Sequence, residues 1–186
     1  MNRRDALGAS VAVPAWASLA SAQESAPSMA ALLRAGGCVL MLRHAQTEAG
    51  IGDPPGFSLA NCSTQRNLSE AGRAQSRRMG AWFQAQGLRP RSVQSSTWCR
   101  CVDTATLAFG APQVLPALNS TFGTPGRQAA QTRALKSLLA AIPAGQFEVW
   151  VTHQVNMTDL CDAYPGMGEG FVVSAQGALL ARHVFS

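Results

Sequence analysis

Two stretches of the chain are apolar almost without interruption: Cys38-Val39-Leu40-Met41-Leu42 and Phe147-Glu148-Val149-Trp150-Val151-Thr152. Short runs that do not alternate predict strands buried on both faces. Other segments show the helical period. Met79, Trp82 and Phe83 follow Asn67-Leu68-Ser69-Glu70-Ala71-Gly72, where Ser69 is a good N-cap and Glu70 suits the first turn. Gly87 is placed to end that helix, whose Arg73, Arg77 and Arg78 fall on its solvated face. Further helices are expected over Ala26–Ala35, Val102–Phe109, Arg127–Ala141 (with Leu135, Leu138 and Leu139 inward) and Met157–Cys161. Arg91–Ser95 and Val114-Leu115 read as short strands, and Gly170–Ser174 with Ala178–Phe185 as a hairpin across Ala175-Gln176-Gly177. The stretch Gly50, Gly52, Asp53, Pro54, Pro55 and Gly56 excludes regular structure and reads as the wall of a pocket.

Composition narrows the function classes. The chain has 186 residues, 47% hydrophobic and 13% charged, which fits one globular domain. Its net charge of +5 is modest, and Lys136 is the one lysine among arginines. No basic tract and a single tyrosine argue against a nucleic-acid partner. The arginines suit anion ligands and scattered surface charge.

Residues 1–22 read as a targeting segment, leaving a domain over 23–186. Arg3-Arg4 precedes a mildly apolar, alanine-rich stretch, and Ala20-Ser21-Ala22 fits a small-x-small cleavage site. Paired arginines before weak hydrophobicity resemble a twin-arginine export signal; the general export route is the near alternative. The expectation is a periplasmic or secreted protein without stable membrane insertion after cleavage. Five cysteines fit an oxidising compartment with one or two bridges. Cys38 is expected to be free in the core, and Cys62 to pair with Cys99 or Cys101. Cys-x-Cys lacks the second paired-ligand motif of a zinc site, so no metal and no cofactor is expected.

The chemistry gathers at three strand ends. Arg43-His44 closes the first strand, Ser95-Ser96-Thr97-Trp98-Cys99-Arg100 follows the second, and His153 follows Val151-Thr152. Strand ends in open α/β sheets collect ligands, and arginine and helix amino termini both suit phosphate. The ordered set Leu-Arg-His-Ala-Gln-Thr, Ser-Ser-x-x-x-Arg and Val-Thr-His closely resembles the histidine phosphatase superfamily, the phosphoglycerate-mutase-like proteins. The resemblance runs from about Gly37 to Phe185 and includes the helix start at Asn67–Gly72 and Thr104-Ala105.

That resemblance implies an α/β fold, a three-layer α/β/α sandwich with a mostly parallel central sheet. It implies His44 as the nucleophile that becomes phosphohistidine, with Arg43, Arg100 and His153 holding the phosphoryl group. Gln46 and Thr47 are further candidates for hydrogen bonds to a small phosphorylated substrate. The residue types fit the task. Two guanidiniums match phosphate oxygens, spread the charge of the transferring group and remove the need for a metal. Neighbouring cations keep an imidazole neutral and nucleophilic. The chain departs from the family where a proton donor is expected: Leu118-Asn119-Ser120 and Gln154 stand where family branches carry glutamate or aspartate. Asp53, Glu48 and Glu169 are the substitute candidates. A substrate with a good leaving group, such as a phosphohistidine or an acyl phosphate, needs no such acid. An envelope phosphosugar is the substrate the compartment suggests. A catalytically idle phospho-ligand binder is the alternative reading of the same motifs.

Overall fold

The computed structural model describes residues 27–124 and 126–185. The leader expected over 1–22 lies outside them. Six strands among them form one sheet: β1 (Cys38–Arg43), β2 (Val93–Ser95), β3 (Gln113–Val114), β4 (Phe147–Thr152), β5 (Glu169–Ser174) and β6 (Leu179–Val184). Their order is β3-β2-β4-β1-β5-β6. The pairs β2–β3, β2–β4 and β1–β4 are parallel, while β5 and β6 add an antiparallel edge.

Among the described residues five α-helices cover the faces: α1 (Met29–Ala35), α2 (Glu70–Ala85), α3 (Cys99–Phe109), α4 (Gln128–Ala140) and α5 (Gln154–Cys161). Successive side chains of a strand point to opposite faces, so β1 divides its apolar residues between two cores. Leu40 and Leu42 pack with Leu33 of α1, Met79 and Phe83 of α2 and Ala105 of α3. Val39 and Met41 pack with Leu135 and Leu139 of α4 and Met157 and Leu160 of α5. Burial on both faces is why β1 reads as an unbroken apolar run. The result is the expected three-layer α/β/α sandwich with a mostly parallel sheet.

Several boundaries move. α3 opens at Cys99 instead of Val102, and α5 at Gln154 instead of Met157. Each first turn carries a polar residue that lines the site, Arg100 in α3 and Gln154 in α5, which interrupts the apolar period there. Leu138 was expected inward and is instead at the exposed edge of α4, while Leu135 and Leu139 are buried. Arg77 and Arg78 are exposed as expected; Arg73 is half-buried beside Asp103, 3.4 Å away. His183 packs at 5.5 Å on Trp82 and 4.7 Å on Phe185, a structural role. No helix among the described residues is long and apolar enough to cross a membrane.

Two glycines of α2 let the helix sit close to its neighbours, the loop after β1 and α3. A Cβ on Gly72 would run into the Gln46 carbonyl oxygen, and one on Gly80 into that of Ala108. This close approach seats α2 against the strand end that carries Arg43 and His44.

Candidate active site

Parallel register brings the site together. Arg43 of β1 stands opposite Thr152 of β4, and Val151 opposite Ser95 of β2. The next residue of each strand extends the ladder: the His44 amide donates to Thr152 O at 3.0 Å and the Ser96 amide to Val151 O at 3.0 Å. His44, Ser96 and His153 therefore emerge side by side at the carboxyl edge. The helix after β1 packs on one face and the helix after β4 on the other, which opens a crevice between these strands.

A cavity of about 500 Å³ occupies that crevice, lined by Arg43, His44, Asp53, Arg66, Arg100 and His153, with apolar groups around its mouth. The two imidazole rings lie 5.5 Å apart. The side chain of His44 is fixed by Nδ1 donating to Ala45 O at 2.9 Å, which leaves the Nε2 lone pair free. Burial first, then the Arg100 cation, lowers its pKa to about 3, so the ring is neutral at neutral pH. Burial, His44 and the Arg100, Arg43 and Arg66 cations push His153 well below its usual range. Nε2 of His153 bonds the Ser96 hydroxyl at 2.8 Å, and the ring meets the Trp98 indole edge-on at 5.1 Å.

Arg100 is 5% exposed and projects from the first turn of α3. Its Nη1 donates to Asp53 Oδ1 at 2.7 Å. The same carboxylate accepts from Trp98 Nε1 at 2.9 Å and from the Arg66 amide at 3.0 Å. These donors outweigh burial and hold the Asp53 carboxyl below the usual carboxylate range. Arg43 donates from Nη1 to Pro165 O at 2.9 Å. Arg66 donates from Nη1 to Thr47 Oγ1 and Gly50 O, both at 2.8 Å. The Nε atoms of Arg43, Arg66 and Arg100 are all buried and unpartnered. Buried guanidinium donors without an acceptor are costly. A phosphoryl group supplies acceptors of the right geometry. With both histidines neutral, the three arginines and Asp53 leave a formal charge of +2, matching a phosphomonoester dianion.

The structure thus gathers Arg43, His44, Arg100 and His153. It does not gather every candidate. Gln46 is exposed and uses its backbone, accepting from the Ser69 amide at 3.1 Å, so its side chain is not a wall of the cavity. Thr47 is also outside the lining and acts on Arg66 instead of on substrate. Glu48 is exposed on the outer side of its loop. Glu169 is bound to Arg182 at 2.8 Å and to the Gly166 amide at 2.7 Å, which holds it ionised outside the cavity. Asp53 reaches the site but as a paired anion, not a proton donor. At the positions where family branches carry an acid, Ser120 and Gln154 line the cavity. Arg66 was missed, although it immediately precedes the Asn67–Gly72 helix start.

Cys62 pairs with Cys99, choosing between the two partners left open, and Cys38 is free and buried as expected. Cys101 and Cys161 are free as well. No group of three or more histidine, cysteine, aspartate or glutamate side chains among the described residues could hold a metal ion.

Comparison with known proteins agrees with this geometry. Residues 39–120 match the family model of the histidine phosphatase superfamily, branch 1. No curated protein matches the chain in sequence. Among solved structures, a phosphoglycerate mutase from Thermus thermophilus is 18% identical with a TM-score of 0.57, over 80% of this chain and 99% of that one. The protein histidine phosphatase SixA, solved with tungstate, is 16% identical with a TM-score of 0.53, over 79% and 96%. The match spans the first two of the three motifs and resembles the histidine phosphatase superfamily over residues 39–120, and the whole described chain shares the fold of these solved phosphoryl-transfer proteins.

Proposed function

We propose that the protein is a phosphatase that hydrolyses a phosphomonoester through a phosphohistidine at His44. The observation that carries this reading is the joint one in the cavity lining: a neutral His44 with its Nε2 free, together with three arginines whose Nε atoms have no partner. Nε2 attacks phosphorus in line with the leaving oxygen, and the guanidiniums of Arg43, Arg66 and Arg100 stabilise the charge on the equatorial oxygens. Water then attacks the phosphohistidine and frees inorganic phosphate. Arginine supplies the positive charge, so the step is written without a metal. The likeness to a protein histidine phosphatase solved with tungstate, an oxyanion, supports the reading. Likeness to a phosphoglycerate mutase supports phosphoryl chemistry more broadly. Hydrolysis is favoured over mutase action because a mutase must retain and re-donate the group in a site closed to water. The cavity here opens to solvent past the exposed Ile51 and Phe122.

Export is part of the proposal. The paired-arginine leader and the Cys62–Cys99 bridge both suit an oxidising compartment outside the cytoplasm.

Purified protein from residue 23 onward should hydrolyse 4-nitrophenyl phosphate with excess chelator present. His44→Ala should lower the rate by at least about a thousandfold while inorganic phosphate still binds. Phosphate binding without turnover by the unaltered protein would instead favour a phospho-ligand binder of the same fold.

A further inference from the structure

We infer that the phosphoryl group is carried on an aromatic ring, so that the substrate is an aryl phosphate and not a sugar phosphate. The inference rests on the phosphatase reading above and specifies its substrate class.

Two independent features of the cavity converge on it. The first is what surrounds the mouth. Beyond the charged residues and histidines, the large apolar side chains of the lining are Ile51, Phe57, Trp98, Phe122, Val155 and Met167. The loop bearing Ile51 and the turn bearing Phe122 face each other: a Cβ on Gly52 would lie 3.6 Å from Phe122 Cε1. Ile51 is 93% and Phe122 64% exposed, so a ligand standing on the phosphate floor would bury them. Apolar jaws of this kind gain from a flat apolar ring. A sugar needs a hydrogen-bonding partner for each hydroxyl it buries. The lining offers Ser120 and Gln154 as its neutral polar side chains.

The second feature is the leaving group. Of the described residues lining the cavity, Asp53 is the one carboxylate, and it is ion-paired to Arg100 at 2.7 Å and capped by the Trp98 indole and the Arg66 amide. It has no proton to give. The leaving oxygen must therefore depart as an anion. A phenolate does so with a conjugate acid near pKa ~10, as for tyrosine. An alkoxide is worse by several powers of ten, its conjugate acid lying closer to water at ~15.7. In the reaction the His44 Nε2 lone pair forms the N–P bond. The P–O(aryl) bond breaks with its electron pair going to the phenolate, which takes a proton from solvent. Water next attacks phosphorus and gives a proton back to solvent, the P–N pair returns to Nε2, and phosphate leaves.

The test is a substrate series with the mature protein: phenyl phosphates of graded leaving-group pKa, phosphotyrosine, phosphoserine, glucose 6-phosphate and phosphoimidazole. Aryl phosphates should exceed the alkyl esters in kcat/KM by at least about a thousandfold, and the aryl rates should fall steeply as leaving-group pKa rises. The double variant Ile51→Ser, Phe122→Ser should raise KM for phenyl phosphate on the order of tenfold. Inhibition by inorganic phosphate should be unchanged, which also shows that the variant folds. Sugar phosphate turnover within tenfold of the aryl esters overturns the inference while leaving a His44-dependent phosphatase intact, as does an unmoved KM. A phosphoimidazole preference above tenfold overturns it in favour of a phosphoramidate. If no member turns over though phosphate binds, the phosphatase reading itself falls.

Discussion

Asp53 shows how a residue's partners decide its chemistry. A carboxylate on a glycine-rich loop beside a phosphate site reads as a proton donor, and its sequence neighbours say nothing against it. Its charge is set by Arg66, Trp98 and Arg100, which are distant along the chain and adjacent in space. The pairing makes Asp53 a positioning residue: it holds Arg100 through Nη1 while Nε stays without a partner. Asp53→Asn should lower kcat about 10- to 100-fold, the scale of a hydrogen bond to a charged group. The loss should be the same factor for 4-nitrophenyl and phenyl phosphate. A loss that grows with leaving-group pKa would make Asp53 the proton donor after all.

At the scale of elements, the start of α3 depends on a segment far from it in sequence. Trp98 gives the helix no side-chain cap; the Cys99 amide instead donates to Gln65 Oε1 at 3.0 Å. The Cys62–Cys99 bridge, spanning a sequence separation of 37, fastens that same segment to the residue before Arg100. Closing a loop of this length contributes about 3–4 kcal/mol in the chain-entropy account. Cys62→Ser should lower unfolding free energy by roughly that amount in urea titrations. A reductant should weaken the unaltered protein to match, and leave the variant unmoved. The sequence narrowed the partner of Cys62 to two residues, Cys99 and Cys101. Helical geometry chose between them: Cys99 meets Cys62, whereas Cys101 is fully buried and hydrogen-bonds toward Thr152 O, with burial pushing its thiol up to about 12.

For the whole molecule, folding seals two imidazoles among three cations, and stability acquires a pH dependence. Both histidines have folded pKa values below their unfolded value of about 6.5. Below that pH the unfolded chain takes up protons that the folded chain refuses, so stability falls as pH drops. The decline for His44 runs from about pH 6.5 toward its folded pKa of about 3. The limiting slope is about 1.4 kcal/mol per pH unit for each histidine. The lowered carboxyls of Asp53 and Glu169 act in the same direction, at more acid pH. Between about pH 6.5 and 5 the slope should therefore belong mainly to the imidazoles. His44→Asn or His153→Asn should each flatten it in denaturant titrations at stepped pH. A slope unchanged in both would show that the rings titrate freely in the folded protein.

The sequence by itself determined the strands, the helices at their apolar periods and the order of the three motifs, because hydrophobic pattern and local caps act over a few residues. It therefore also supplied Arg43, His44 and His153 at the ends of strands whose burial is readable, and Arg100 at the entry of the helix after β2. Tertiary structure alone decided which polar groups meet. Parallel register aligned the strand ends, the start of α2 engaged Gln46 through its backbone, and Arg66 entered the site while Asp53 was tied up as an anion. Those outcomes depend on distances between residues tens of positions apart, set by packing on both faces of the sheet, and no local pattern encodes them.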